Sequence, residues 1–375
     1  MPIGYAVFLG SIALFTTAAL LTTRRAGHTR YVLSAAINEI PHVFALALVV
    51  STVSAWAADD LGGTSGAVLT GFAAAVVVGT GVLAHRALPA EAEVRAGLVA
   101  AGLPGVFRPG WRRLRGWLAP LPLRSPAVVR RRGLAYGPHR QQRLDVYRRR
   151  DGLTNGRVLV YLHGGGYYSG GRHREGRALL HRLAAGGWTC VSADYRLRPR
   201  AGFEEHIDDA RSALRWAHAY AEEGGEPAEA VVMAGSSAGA HLAALCALTQ
   251  PDDDPHLRVD GAVCLYGYYG RYYGRGPLEH PASSPVVLDP AGAPPMLIVH
   301  GDRDSWTPVE QARELRDHLR SGSSSTVAYV ELTGAQHGFD LFASPRFVSV
   351  VDGVETFLAV AVPGPLAAAT ATGRT

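Results

Sequence analysis

The sequence predicts an α/β fold: a mostly parallel central sheet flanked by helices, preceded by an N-terminal region of three transmembrane helices. Three observations carry this prediction. Between residues 133 and 361, short apolar strand-like runs alternate with stretches of helical period, the order that builds a parallel sheet with helices on both faces. Ahead of them stand three apolar stretches, each close to the ~20 residues that cross a bilayer core. Between the two regions lies a segment that interleaves Arg with Trp.

The 375 residues leave room for a sizeable domain plus an extra region. Apolar residues make up 47% and charged residues 18%, which fits a chain that partly avoids water. The formal charge is +5, and all 37 basic residues are Arg; no function is drawn from that uniformity. The charge is concentrated from Arg108 to Arg132, directly after the apolar region. A membrane surface therefore fits the basic balance better than nucleic acid. Cys190, Cys246 and Cys264 each sit in an apolar run, with no CxxC spacing. They read as buried thiols, with neither a disulfide framework nor a metal site implied.

Residues 1–88 form the expected membrane region, with spans at about 3–21, 35–57 and 66–84. The first lacks a basic start and a small-residue cleavage pattern, so it reads as a span and not a signal peptide. Glu39, Pro41 and His42 fall near the start of the second span, at the interface or facing other helices, with a proton relay as a further reading. Arg24, Arg25 and Arg30 lie between spans one and two, and Asp59 and Asp60 between spans two and three. Arg86 and Arg95 follow span three. By the positive-inside rule the amino terminus is outside, and the rest of this multi-pass protein of the cell membrane is cytoplasmic. Residues 89–132 read as a basic interfacial linker. In "GWRRLRGWLAPLPL", Trp111, Leu114, Trp117 and Leu118 alternate with Arg112, Arg113 and Arg115, as in a short amphipathic segment lying on anionic headgroups. Tryptophans packed on the globular domain are the alternative.

From Gly133 the elements follow in order. "LAYG" and "QRLDVY" read as a strand pair, and "RVLVYLH" is a continuous apolar strand ending at glycines. A helix at 177–185 leads to the strand "WTCVSADY", and a helix at about 203–222 leads to "AEAVVMAG". A helix starting at or just after Ser237 comes next. The strands "DGAVCLYG", "PMLIVHG" and "TVAYVEL" complete the set, with helices near 309–320 and 346–360. Residues 133–361 are the expected domain, and 362–375, rich in Ala, Thr and Gly, a disordered tail. In sheets of this kind the working residues gather at the carboxyl ends of the strands.

One such end reads "VVMAGSSAGAHLAAL". Gly235-Ser236-Ser237-Ala238-Gly239 fits G-x-S-x-G with Ser237 at its centre, a strained strand-to-helix turn that exposes the central hydroxyl at a helix amino terminus. Ser236 occupies a variable slot. A serine hydroxyl needs a base and an orienting acid, and in this layout they follow in the order acid, histidine. "MLIVHGDRDSWTP" supplies Asp302 and Asp304 after one strand, and "ELTGAQHGF" supplies His337 after the last. Earlier, "VYLHGGGYYSGG" sets His163-Gly164-Gly165-Gly166 after the first long strand. Glycines there let backbone N–H groups approach a tetrahedral oxyanion, and the N–H of Ala238 completes the hole.

In sequence order, "HGGG", "DYRLRP", "GSSAG", "HGDRDSWTP" and "HGF" resemble the hormone-sensitive-lipase-type branch of the α/β-hydrolase fold over about residues 133–360. With its amino-terminal membrane region the chain also resembles membrane-associated esterases of mycobacteria and related actinobacteria. The resemblance implies Ser237 as nucleophile, His337 as general base and Asp304, the second acid of "GDRD", as its partner. Asp302 is left as a turn or capping residue, and the oxyanion donors map to Gly165, Gly166 and Ala238. Two departures stand out. Ser236 replaces the family's Asp before the nucleophile, and Arg198 and Arg200 replace the Ala and Glu of "DYRLAPE".

The expected function is membrane-anchored cleavage of a carboxylic ester through an acyl-enzyme, with no cofactor and no metal, on a small-molecule or lipid ester. An acyltransferase with the same triad is the alternative. A catalytically dead membrane scaffold and a transport path through the spans are the remote ones. His173, His181, His206, His241 and His280 have no partner at a telling spacing and read as surface or helix residues. "YGYYGRYYGR" from Tyr266 to Arg275 reads either as an acyl-pocket lining or as a loop packed on its own tyrosines.

Overall fold

The computed structural model describes residues 3–22, 27–105, 110–121, 124–223, 227–251, 253–272 and 283–362. Arg24, Arg25, Arg108, Arg275, His280 and the tail beyond residue 362 lie outside the described residues.

Eight strands form one sheet: β1 (Val128–Ala135), β2 (Arg143–Arg149), β3 (Arg157–Leu162), β4 (Thr189–Ala193), β5 (Ala230–Ser236), β6 (Gly261–Leu265), β7 (Met296–Gly301) and β8 (Val327–Leu332). Their order is β1-β2-β4-β3-β5-β6-β7-β8. β1 pairs with β2, and β2 with β4, antiparallel; the pairings from β4 through β3 to β8 are parallel. The sheet is thus mixed, with its antiparallel part at one edge. β1 begins at Val128, inside the segment assigned to the linker. The helices α7 (Arg177–Ala185), α8 (Phe203–Glu223), α9 (Ala238–Leu248), α10 (Val309–Gly322) and α11 (Pro345–Ala361) cover the faces.

Alternate side chains of each strand feed two cores, as a pleated strand requires. Val158, Val160 and Leu162 of β3 pack with Leu214, Leu242 and Leu315 on the face of α8, α9 and α10. Leu159 and Tyr161 pack with Leu180, Phe347 and Phe357 on the face of α7 and α11. Each such fully buried apolar side chain stabilises by roughly 1.5–3 kcal/mol. Along the parallel pairings Leu162 stands beside Gly235, and Gly235 beside Cys264. The loops that leave these strands therefore open side by side at one edge.

The first ninety residues hold four helices where three spans were expected: α1 (Ile3–Leu20), α2 (Gly27–Glu39), α3 (Pro41–Ala57) and α4 (Gly63–Ala87). The apolar stretch 35–57 is broken at Ile40, where φ is −127° and ψ is 47°. Pro41 lacks the N–H that would continue a helix but suits the first turn of a new one. α2 and α3 consequently meet at 81°. Two helices are long and apolar enough to cross a membrane, or three if the bent pair counts as one. Leu9 and Ile12 of α1, Leu48 of α3, and Val76 and Leu83 of α4 pack together, joined by Ile37 of α2.

The segment read as an interfacial linker is largely part of the domain. α5 (Ala90–Val99) buries Ala90, Val94 and Leu98 in the same core as Val330 of β8 and Val354 of α11. Its charged residues conceal that face, because Val94, Leu98 and Ala101 recur at helical spacing among Glu and Arg. α6 (Trp111–Leu118) runs on to Pro120, whose carbonyl accepts the Ala343 N–H at 2.6 Å. Trp117 packs edge-on against His42, with centroids 4.8 Å apart, while Leu114 and Leu118 are exposed.

Candidate active site

β5 runs into α9 through Ser237, whose φ of 54° and ψ of −117° are costly for a residue with a side chain. The turn closes only because two glycines admit backbone. A Cβ on Gly239 would lie 2.0 Å from the Leu162 carbonyl oxygen, and one on Gly235 would lie 2.3 Å from the Gly239 carbonyl carbon. Ser237 Oγ stands 2.9 Å from His337 Nε2, and His337 Nδ1 stands 2.7 Å from Asp304 Oδ2. Asp304 comes from the loop after β7 and His337 from the loop after β8. The structure thus joins the three residues in one hydrogen-bonded chain.

Asp304 is fully buried, and its carboxylate also accepts the N–H groups of Trp306 and Thr307 at 2.8 Å and the Thr307 hydroxyl at 3.0 Å. Burial alone raises its pKa. The charge of His337 and the bonds from His300 and His337 outweigh that and hold the carboxyl well below the usual range. Asp302 points elsewhere, accepting the Gly334 N–H at 2.6 Å, so it ties the acid loop to the histidine loop.

The glycine loop follows β3. Gly165 (φ 114°) and Gly166 (φ 60°) occupy left-handed conformations. Glu175 accepts the Gly164 N–H at 2.8 Å, and Tyr195 donates its hydroxyl to the His163 carbonyl at 2.8 Å. The His163 ring stacks on Tyr195 at 4.3 Å, and burial lowers its pKa to about 4, which keeps the imidazole neutral. Gly165, Gly166, Ser237 and His337 line one cavity of about 200 Å³, and Ala238 follows Ser237 as the first residue of α9. All six site residues read from the sequence are therefore brought to one place.

Several members of this neighbourhood carry no signal in the sequence. Asp340, three residues past His337, is buried beneath the serine turn. It accepts from Ser236 Oγ at 2.6 Å, the Tyr161 hydroxyl at 2.8 Å, the Gly176 N–H at 3.1 Å and the Tyr266 hydroxyl. Ser236, at the family's Asp position, thus has a carboxylate beside it, delivered by a different loop. Burial raises the Asp340 pKa, against the bonds from Ser236, Tyr266 and Tyr161. On the open side, His28 and Tyr31 of α2 line the same cavity as Ser237. Neither is marked in the sequence, where both precede the apolar run of the second span.

The other histidines divide. His241, read as a surface or helix residue, is a fully buried helix residue bonded to the Tyr167 hydroxyl and the Ser283 carbonyl, each at 2.5 Å. His206 is likewise buried on α8, 3.0 Å from the Tyr272 hydroxyl, and His181 lies edge-on to Tyr147. His173 is exposed. Of the tyrosine-rich loop, Tyr269 and Tyr272 are buried in the core. Arg198 lies over Tyr168 and Tyr272 at 4.9 and 5.4 Å and does not line the cavity. Glu39, read as a span residue, instead faces the domain, paired with Arg346 and accepting the Ser344 hydroxyl at 2.8 Å. These partners replace the relay reading. The three cysteines are buried and free, and burial raises their pKa values. Among the described residues no group of three or more His, Cys, Asp or Glu side chains is arranged to hold a metal.

A family model described as BD-FAE matches residues 144–266. Esterase LipC of Mycobacterium tuberculosis is 37% identical over 279 residues, covering 64% of this chain and 69% of the relative. The probable carboxylic ester hydrolase LipM of the same organism is 34% identical over 289 residues, covering 66% of this chain and 67% of the relative. Among solved structures, Thermogutta terrifontis esterase 2 phosphorylated by paraoxon superposes with a TM-score of 0.52 at 26% identity, covering 64% of this chain and 95% of that one.

Proposed function

The chain belongs to the α/β-hydrolase family of carboxylic ester hydrolases, and we propose that it cleaves its ester with Ser237, His337 and Asp304 through an acyl-enzyme. The observation that carries the triad is the continuous pair of contacts, 2.9 Å from Ser237 to His337 and 2.7 Å from His337 to Asp304. His337 Nε2 takes the Ser237 proton as Oγ attacks the acyl carbon. The oxyanion that forms meets the N–H groups of Gly165, Gly166 and Ala238. His337 then returns the proton to the leaving alcohol, and water, activated by the same imidazole, releases the acid. Asp304 keeps Nδ1–H in place and stabilises the imidazolium. That the similar Thermogutta esterase is phosphorylated by paraoxon is in keeping with an activated nucleophile in this chain.

The amino-terminal helices are read as a membrane anchor. Support comes from outward apolar side chains on all three long helices: Val7 on α1, Leu46 and Val53 on α3, and Val68 and Val78 on α4 are each more than 60% exposed. α1 and α3 measure ~26–27 Å at 1.5 Å per residue, near the ~30 Å of a bilayer core. α1 and α4 are then spans in residues 1–88, and the bent α2–α3 pair is the third, with α3 as its crossing part. Arg30, with Arg24 and Arg25, falls on the side opposite Asp59 and Asp60, which sets the hydrolase domain in the cytoplasm.

A chain-length series of p-nitrophenyl esters on the purified full chain, repeated with an added alcohol, tests this function. Release of acid as the main product, lost on Ser237→Ala, supports ester hydrolysis. Transfer of most of the acyl group to the alcohol would make the enzyme an acyltransferase.

A further inference from the structure

We propose that α2 and Trp306 form the leaving-group subsite of the enzyme, an aromatic wall that takes the lipophilic alcohol portion of the ester. The proposal rests on the triad reading above and deepens it. His337 must hand its proton to the departing oxygen, so the alcohol leaves beside the cavity-facing edge of that buried imidazole. The rings packed around the imidazole are therefore the groups nearest the alcohol. The Trp306 ring is stacked on His337 at 5.9 Å and 20°, and the Tyr31 ring stands perpendicular to it at 5.4 Å and 85°. Tyr31 and Trp306 meet edge-on at 5.3 Å, and His28 closes on Trp306 at 4.4 Å. All three aromatic side chains line the cavity that holds Ser237.

The wall is built to stay in place. Gly27 donates to the Ser305 carbonyl at 3.2 Å, and Arg303 donates to the Thr22 carbonyl at 3.0 Å. Gln336 donates to Ser34 Oγ at 3.3 Å, Asn38 to the Gly334 carbonyl at 3.0 Å, and Arg346 pairs with Glu39. α2 is thus fastened to the two loops that carry Asp304 and His337, and at its end to α11. A Cβ on Gly338 would stand 3.2 Å from the Tyr31 hydroxyl, so a glycine next to the histidine lets the ring lie close.

The cavity of about 200 Å³ falls below the roughly 300–1,000 Å³ that encloses a drug-sized ligand. It holds the ester group and the atoms next to it. The rest of a larger alcohol lies along α2, between the end of α1 and the start of α3. The class of ester this fits is that of a lipophilic alcohol presented from the side of the apolar helices. The wall thus joins Tyr31 and His28 of the N-terminal region to Trp306 of the loop that carries Asp304.

The test varies alcohol and acyl separately, using the full chain in detergent. kcat/KM is measured for 2-naphthyl, phenyl and ethyl acetates and for phenyl acetate, butyrate and hexanoate. Tyr31→Ala is expected to lower the 2-naphthyl-to-ethyl preference about five- to tenfold, the value of one aromatic contact. The acyl-length profile stays unchanged. Tyr31→Phe keeps the wild-type preference, because the ring and not the hydroxyl makes the wall. Should Tyr31→Ala fail to fold, Trp306→Leu carries the same test, and its preference must fall likewise. A change in the acyl profile with the alcohol preference intact, in whichever of these two variants folds, overturns the subsite. Loss of a fluorophosphonate adduct from wild-type Ser237 would instead remove the acyl-enzyme reading beneath it.

Discussion

Removing the Glu39 carboxylate measures how firmly α2 is fixed to the catalytic domain. Glu39 and Arg346 are each about 1% exposed at the side chain, and the carboxylate also takes the Ser344 hydroxyl at 2.8 Å and the Asn38 amide at 3.3 Å. Arg346 Nε and Nη2 have no acceptor among the described residues, so Glu39 is the group that balances this buried guanidinium. Glu39→Ala leaves that charge uncompensated, which costs about 3–5 kcal/mol in buried pairs of this kind. At about 2–4 °C per kcal/mol for a domain of this size, the melting temperature falls by roughly 6–20 °C. The pair itself contributes little beyond its own desolvation, so Glu39→Leu with Arg346→Met, which removes both charges, recovers most of the loss. Thermal unfolding of the full chain in detergent at a fixed scan rate reads both variants. A Glu39→Ala protein that melts with the wild type refutes the argument, as does a double variant no better than the single one.

Three further outcomes follow from the proposed site and the proposed anchor. Asp304→Asn is expected to cut turnover by roughly 10²–10⁴, because His337 loses its orienting partner; Asp302→Asn acts on stability and leaves turnover of the folded protein near wild type, and steady-state kinetics on both variants decides between the two carboxylates. The folded pKa of Asp304 is depressed, so its stabilisation is present above the unfolded value of about 3.9 and lost as pH falls below it. The melting-temperature gap between wild type and Asp304→Asn therefore narrows in scans below about pH 4. Alkaline phosphatase fused after Thr375 is expected to stay inactive, and protease added to intact cells to leave the domain uncut; activity with digestion from outside would reverse the orientation.

Most parallel strands of the domain were legible because they are buried on both faces and read as apolar runs, whereas their order in the sheet was not. Ser237 was legible for a local reason: the serine turn requires glycine on both sides, and that leaves a spacing. The choice between Asp302 and Asp304 was not local. Two acids stand in one tight loop, and only the third dimension sends one to Gly334 and the other to His337. Asp340 was illegible because its partners, Tyr161, Gly176, Ser236 and Tyr266, come from four separate segments.

The amino-terminal region shows the limits of counting apolar residues. The stretch 35–57 has the composition of one span, yet Pro41 marks a helix start within it. α5 was hidden for the opposite reason, since its charged face dominates the composition while Val94 and Leu98 carry the packing. Tyr31 has no motif at all. Its place beside His337 follows from the docking of α2 on two distant loops.

The central claim, an acyl-enzyme on Ser237, is tested most directly by locating a fluorophosphonate adduct by peptide mass spectrometry. A single adduct on Ser237 is expected, abolished by Ser237→Ala together with ester turnover and retained with turnover in Ser236→Ala. An adduct on Ser236, or turnover that survives Ser237→Ala, would contradict it.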